Sequence, residues 1–198
     1  LASKIDLAAL VALFPPDDEF DFWCAYFHYW SSEDYLAQVQ NAHLSVWKNE
    51  GLVYECPGAR IDLEEIVDEV RDIRTHVEVA EFCYDPYHAT QLATSTSGEG
   101  IVAVEVQMHV KYLSPAMREL EALNNEGKLA HGGDACTTWQ AGNLQASEDR
   151  KDNVFPRKGS SERKIDGMVA LLLALFRAAQ PPEEPEQSIY NTRGMRSI

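Results

Sequence analysis

Val77-Glu78-Val79-Ala80-Glu81-Phe82-Cys83-Tyr84-Asp85-Pro86-Tyr87 opens the stretch that decides the fold. Val77 to Tyr84 has the β-branched and aromatic content of a strand, His88 to Ser97 suggests a helix, and Ile101 to Val106 is a second β-branched strand. A strand, a helix and a strand in that order imply a right-handed crossover that lays the two strands parallel. Asp85 stands where the first of them ends. Pro86 biases it toward an extended backbone, which projects its carboxylate at the rim of the sheet. Ligands of open parallel sheets collect outside the carboxyl ends of the strands, although an Asp-Pro turn without chemistry is the plainer alternative.

Upstream, Leu7 to Phe14 is an apolar run closed by Pro15-Pro16-Asp17-Asp18, and Phe20 to Trp30 is rich in aromatic strand formers. Together they read as an antiparallel hairpin. A third extended piece lies around Leu52 to Cys56, and Ser31 to Asn49 between them is a helical or irregular excursion. Ile61 to Thr75 carries the clearest helix signal. Asp62 is its N-cap, Glu65 completes a capping box, and Leu63, Ile66, Val67, Val70 and Ile73 recur at helical spacing.

Downstream, Ser114 and Pro115 read as the N-cap and first-turn proline of a helix that stops near Gly127. Leu129 to His131 and Thr137 to Gln145 are short strand candidates. Ala146 to Gly159 is a polar loop or flexible hairpin, and a final helix covers about Glu162 to Ala178. The order predicts a mixed α/β domain over residues 1–179, with three mostly antiparallel strands followed by parallel ones. Residues 180–198, with Pro181-Pro182-Glu183-Glu184-Pro185-Glu186, read as a disordered tail.

A chain of 198 residues with 45% hydrophobic content can bury one sizeable core. Met168 to Phe176 is far short of the roughly 20 apolar residues that span a bilayer, so no membrane role is expected. No secretory signal opens the sequence, and Leu1 already reads as strand, as expected of a domain from a longer protein. The four cysteines and six histidines lack metal-knuckle spacing, so reduced thiols and no structural zinc are expected. A net charge of −15 argues against gripping nucleic acid by bulk electrostatics. Locally the balance reverses: Arg150, Lys151, Arg157, Lys158, Arg163 and Lys164 face only Asp152 and Glu162. A solvated loop of mixed charge is the simpler reading of that run; phosphate contact is the functional one.

Asp166 follows this segment, in Ser161-Glu162-Arg163-Lys164-Ile165-Asp166-Gly167, at the head of an apolar helix. Facing water or pairing with a cation such as Arg163 is the common fate of such an acid, and holding a metal ion is the other. Mg²⁺ and Mn²⁺ take hard oxygen ligands and retain waters, so two or three acids from different elements suffice for a hydrolytic site. Two such ions, roughly 4 Å apart, activate a water and stabilise the leaving oxygen of a phosphodiester.

Five stretches occur in order: Trp47-Lys48-Asn49-Glu50-Gly51-Leu52; Tyr84-Asp85-Pro86-Tyr87 with Ala89 to Ala93; Leu113-Ser114-Pro115-Ala116-Met117-Arg118-Glu119-Leu120-Glu121; His131-Gly132-Gly133 with Trp139 and Asn143; and Ser161 to Gly167. As a set they resemble the C-terminal nuclease domain of tailed-phage terminase large subunits. The resemblance covers nearly the whole chain up to Ala178. It implies a ribonuclease-H-like mixed sheet flanked by helices, and an endonuclease that cuts concatemeric double-stranded DNA during genome packaging. By the same resemblance, Asp85 and Asp166 are catalytic metal ligands for Mg²⁺ or Mn²⁺, with two ions expected.

The family's first acid is expected just before Leu1, and Asp6 ranks as a supporting acid at best. Arg150, Lys151, Arg157, Lys158, Arg163 and Lys164 are the expected DNA contacts. Implied partners are the portal protein, the small terminase subunit and the ATPase motor domain of the same parent protein, in the cytoplasm of the infected bacterial host. No Gly-x-x-x-x-Gly-Lys-Ser/Thr phosphate loop occurs in the sequence, so ATPase activity is not expected of this chain. The acidic surface and the Pro/Glu-rich tail leave a nonenzymatic alternative: a degenerate nuclease fold that docks on the portal or small subunit.

Overall fold

The computed structural model describes residues 7–38, 42–98, 100–160 and 162–180. Asp6, Ser161 and the tail from Pro181 onward lie outside the described residues. Strand β1 (Ala8–Phe14) pairs antiparallel with β2 (Trp23–Ser32), from Ala8 opposite Trp30 to Phe14 opposite Cys24, as the apolar run and its Pro-Pro stop predict. Helices α1 (Glu33–Gln38) and α2 (Ala42–Asn49) carry the chain to β3 (Tyr54–Cys56). After α3 (Leu63–His76), β4 (Glu81–Tyr84), α4 (Pro86–Gly98) and β5 (Val102–Glu105) form the expected crossover, with Glu81 opposite Val102 in a parallel pair. Then follow α5 (Val110–Glu126), β6 (Leu129–Ala130), α6 (Ala135–Asn143), the antiparallel hairpin of β7 (Leu144–Glu148) and β8 (Val154–Lys158), and α7 (Asp166–Ala178).

Alternation along the strands divides the core between two faces. On β1, β2 and β4, Ala8, Leu10, Trp30, Phe82 and Tyr84 meet Ile66, Val67 and Val70 of α3. Their neighbours point the other way. Val11, Leu13 and Ala25 meet Leu171 and Leu175 of α7, and Cys83 joins Leu172, Leu173 and Leu113 of α5. Burial on both sides explains why these strands read as near-continuous apolar runs. The α3 layer is acidic outside: Glu65, Asp68, Glu69 and Asp72 line a shallow groove beside Trp30 and Tyr54.

Three sequence expectations need correction. The third strand is parallel to β2, with Trp30 opposite Tyr54 and Ser32 opposite Cys56, because two helices intervene and return the chain as a crossover. The fifth helix begins at Val110, capped by the His109 ring accepting from the Lys111 N–H at 3.1 Å. Pro115 therefore sits inside it, and Ser114 is buried, its hydroxyl accepting from Val154 N–H at 3.0 Å to hold the hairpin against α5. Thr137 to Gln145 is mostly helix: the Asp134 carboxylate accepts from Thr137 N–H at 2.8 Å and caps α6, which overrides the strand preference of Thr137, Thr138 and Trp139.

Candidate active site

Asp85 lies between Tyr84, the last residue of β4, and Pro86, the first of α4; Asp166 is the first residue of α7. Both are partly buried. Each therefore stands at a helix start, where backbone N–H groups and the helix dipole favour negative charge. Their relative placement follows from the opposite end of α7. Arg177 donates from Nε and Nη2 to the two carboxylate oxygens of Glu81, both at 2.9 Å, and so ties the C-terminal turn of α7 to the first residue of β4. Cys83, two residues further along β4, packs with Leu172 and Leu173, earlier in α7, so helix and strand run in opposite directions. From Arg177 back to Asp166 the helix rises about 16 Å, and from Glu81 to Asp85 the strand advances about 13 Å, so the two acids come to the same edge of the sheet.

The start of α7 is held by buried polar groups. Gln140, fully buried on α6, accepts from Gly167 N–H through its amide oxygen at 2.9 Å. Asn143, one turn on and buried, donates to the Lys164 carbonyl at 3.1 Å. Tyr29 of β2 lies against Gly167, where an added Cβ would stand 2.4 Å from the Tyr29 hydroxyl oxygen. That hydroxyl shares a 2.9 Å hydrogen bond with Thr137 Oγ1. Burial pushes the Tyr29 hydroxyl's pKa up, and Asp134 and Asp166 add to the shift. Burial likewise pushes the Cys136 thiol up to about 12, again with Asp134 and Asp166 raising it. A further acid, Asp134, lies on this side of the helix start: it caps the turn of α6 whose Thr137 meets the Tyr29 hydroxyl beside Gly167. Sequence reasoning passed over Asp134 and Gln140. The Asp134 cap three residues before Thr137 was legible in principle; the reach of Gln140 across 27 positions was not.

Among the described residues, no three His, Cys, Asp or Glu side chains converge as a metal-binding group. Asp85 and Asp166 are hard oxygen donors from two elements at one edge, the chemistry that Mg²⁺ or Mn²⁺ takes. The basic residues divide by position. Arg150 and Lys151 occupy the exposed β7–β8 turn, Arg157 and Lys158 are exposed on β8, and Arg163 is exposed ahead of α7. Lys164 is buried at 4% exposure, its ammonium 5.5 Å from the centre of the Tyr35 ring, a place unsuited to phosphate contact. An open groove of about 340 Å³ runs between the hairpin and Met108, His109 and Val110. Because β5 is parallel to β4, these residues leave the sheet at the end where Asp85 does. The basic hairpin thus flanks the carboxylate edge.

These parallel and antiparallel strands, packed between α3 on one side and α5 and α7 on the other, define an α/β domain of ribonuclease-H-like architecture. Residues 1–181 match the family described as terminase large subunit, endonuclease domain. The chain belongs to that family. It is 28% identical over 210 residues to protein YmfN of Escherichia coli strain K12, across all of this chain and 46% of that protein. It is 27% identical over 180 residues to the terminase large subunit of Enterobacteria phage HK97, across 88% of this chain and 35% of that one. The crystal structure of the HK97 bacteriophage large terminase superposes with a TM-score of 0.77 at 27% identity, covering 88% of this chain and 37% of that chain. The chain therefore spans less than half the length of these relatives. No described helix is long and apolar enough to cross a membrane.

Proposed function

We propose that this domain is a divalent-metal-dependent endonuclease that cuts concatemeric double-stranded DNA during phage genome packaging, with Asp85 and Asp166 as its metal ligands. What supports the reading is the antiparallel seating of α7 on β4, with Arg177 on Glu81 and Cys83 against Leu172 and Leu173, which puts the start of α7 toward the end of β4 that Asp85 follows. Two bound ions would activate water and stabilise the departing phosphodiester oxygen. The chain's own part is to hold the carboxylates on rigid helix starts and to offer phosphate contacts beside them. Arg150, Lys151, Arg157, Lys158 and Arg163 supply those contacts, and Lys164 instead serves packing. Acting in the cytoplasm of the infected host, the domain would receive DNA from the ATPase motor of its parent protein, alongside the portal and small terminase subunit.

The test uses the chain extended upstream through the acid expected before Leu1. Plasmid DNA incubated with Mn²⁺ should be linearised, and Asp85→Asn and Asp166→Asn should each slow cleavage at least a hundredfold. Cleavage that survives both substitutions would sink the assignment. Arg157→Ala should weaken DNA binding across sequences and lower the slope of log affinity against log salt by about 1.

A further inference from the structure

Helix α7 begins without a cap of its own. The residue at its cap position is Ile165, which offers no side-chain acceptor, so the first N–H groups of the helix need partners from elsewhere. Gly167 N–H, the second in the helix, finds one in the Gln140 amide oxygen. The Gln140 side chain is itself oriented, because its NH₂ lies 3.4 Å from Cys136 Sγ on the preceding turn of α6. One turn further along α6, Asn143 grips the Lys164 carbonyl on the other side of Asp166. The peptide unit that follows Asp166 and the one that joins Lys164 to Ile165 are therefore both fastened to α6, through buried neutral amides.

We propose that Gln140 is a positioning residue for Asp166: acting with Asn143, it caps α7 from a neighbouring helix and so fixes the backbone from which the Asp166 carboxylate reaches a divalent ion. This rests on the metal-ligand reading of Asp166 above. A terminal turn left uncapped frays, and a ligand on a frayed turn must be ordered each time the ion binds. Fastening the backbone beforehand removes that step, as groups behind metal ligands do elsewhere. The clasp is neutral, so it adds no charge to compete with the ion. Gly167 is accounted for separately, by Tyr29 of β2. Tyr29 fills the space beside it, which closes the α6 side of the helix start to bulkier residues.

The experiment compares four variants of the upstream-extended protein. Gln140→Met keeps the length of the side chain and loses the acceptor oxygen; Gln140→Glu keeps the acceptor. Val70→Ala weakens the core on the α3 face, away from α7. Asp166→Asn removes the ligand. In metal-free protein, exchange of the Gly167 amide followed by NMR should accelerate at least tenfold in Gln140→Met. Mn²⁺ affinity by calorimetry should fall about 10- to 100-fold in that variant and be unchanged in Val70→Ala. Gly167 exchange in Gln140→Glu, which keeps the acceptor, should stay within about threefold of the unsubstituted protein.

Full Mn²⁺ affinity in Gln140→Met, with loss in Asp166→Asn, would overturn the positioning role while leaving the metal reading intact. Equal losses in Gln140→Met and Val70→Ala would also overturn it, because stability alone would then set the affinity. Undiminished binding by Asp166→Asn would overturn the metal reading itself. Unchanged Gly167 exchange in Gln140→Met would remove the cap on which the inference stands.

Discussion

The two ends of α7 are fastened by opposite means. At its start, Gln140 and Asn143 provide buried hydrogen bonds between uncharged groups, with Tyr29 packed against Gly167. At its finish, the Arg177 guanidinium forks onto Glu81, with side chains 18% and 33% exposed. Uncharged bonds sealed from water depend little on salt, whereas a partly exposed ion pair is screened and adjustable. The rigid fastening is at the end that bears Asp166. The ion pair sets direction, orienting the helix along β4, and the amides set position.

Substitutions at each end can break this contrast. The largest effect is expected from Gly167→Ala, because the new methyl would overlap the Tyr29 hydroxyl and force α7 or β2 to shift. Overpacking of this kind costs about 1–3 kcal/mol, read as a lower urea midpoint with little change in slope. Asn143→Leu follows. It removes the donor that satisfies the Lys164 carbonyl and should cost about 1–2 kcal/mol, the same at low and high salt. Arg177→Ala should cost at most about 1 kcal/mol, after allowing for solvent screening at this partly exposed pair, and the loss should shrink in 1 M salt. A large, salt-independent loss there would erase the distinction.

A finer comparison lies between two thiols, Cys136 buried and Cys83 partly buried. Cys83 beside the finish of α7 and Cys136 beside its start are both pushed up to about 12, chiefly by burial. Asp166 contributes to the shift of Cys136, whereas Glu81 and Arg177 act on Cys83. Asp166→Asn should therefore speed alkylation of Cys136 slightly and leave Cys83 unchanged, as peptide mass spectrometry after a timed pulse at pH 9 would show. The sign of the linkage follows from the direction of both shifts. The folded state holds these protons more tightly than the unfolded chain, so stability is complete below about pH 9 and declines as pH rises toward 12. Urea midpoints measured between pH 8 and pH 10.5 should fall accordingly.

How much of this was legible in sequence depended on the range of the interactions. The crossover around Asp85 was legible because β-branched runs, a helical interval and a proline all act locally. The cap at Asp62 was also correctly read, with its carboxylate accepting from Glu64 N–H at 3.0 Å. At α6 a local preference misled: Thr137, Thr138 and Trp139 favour strands, yet one Asp134 cap and burial of Cys136 and Gln140 made the segment a helix. Ser114 looked like a cap because of Pro115, but its hydroxyl was needed by β8, 40 residues away. Asp85 and Asp166 were singled out through an ordered family resemblance, and the fold sets each of them at a helix start. The clasp behind Asp166 had no local signature, since a buried Gln declares its partner only when the chain is folded.

The acidic groove on α3 bears on how the domain would meet the DNA proposed as its substrate. Glu65, Asp68, Glu69 and Asp72 lie on the layer opposite the one that carries α5 and the arginine- and lysine-bearing hairpin. Such a separation of charge gives the molecule a permanent electric moment across the sheet. In the field of a polyanion it experiences a torque before any contact forms, turning the hairpin inward and the α3 face outward. A net charge of −15 opposes the approach of any polyanion, and the α3 face with its four acids would be repelled most.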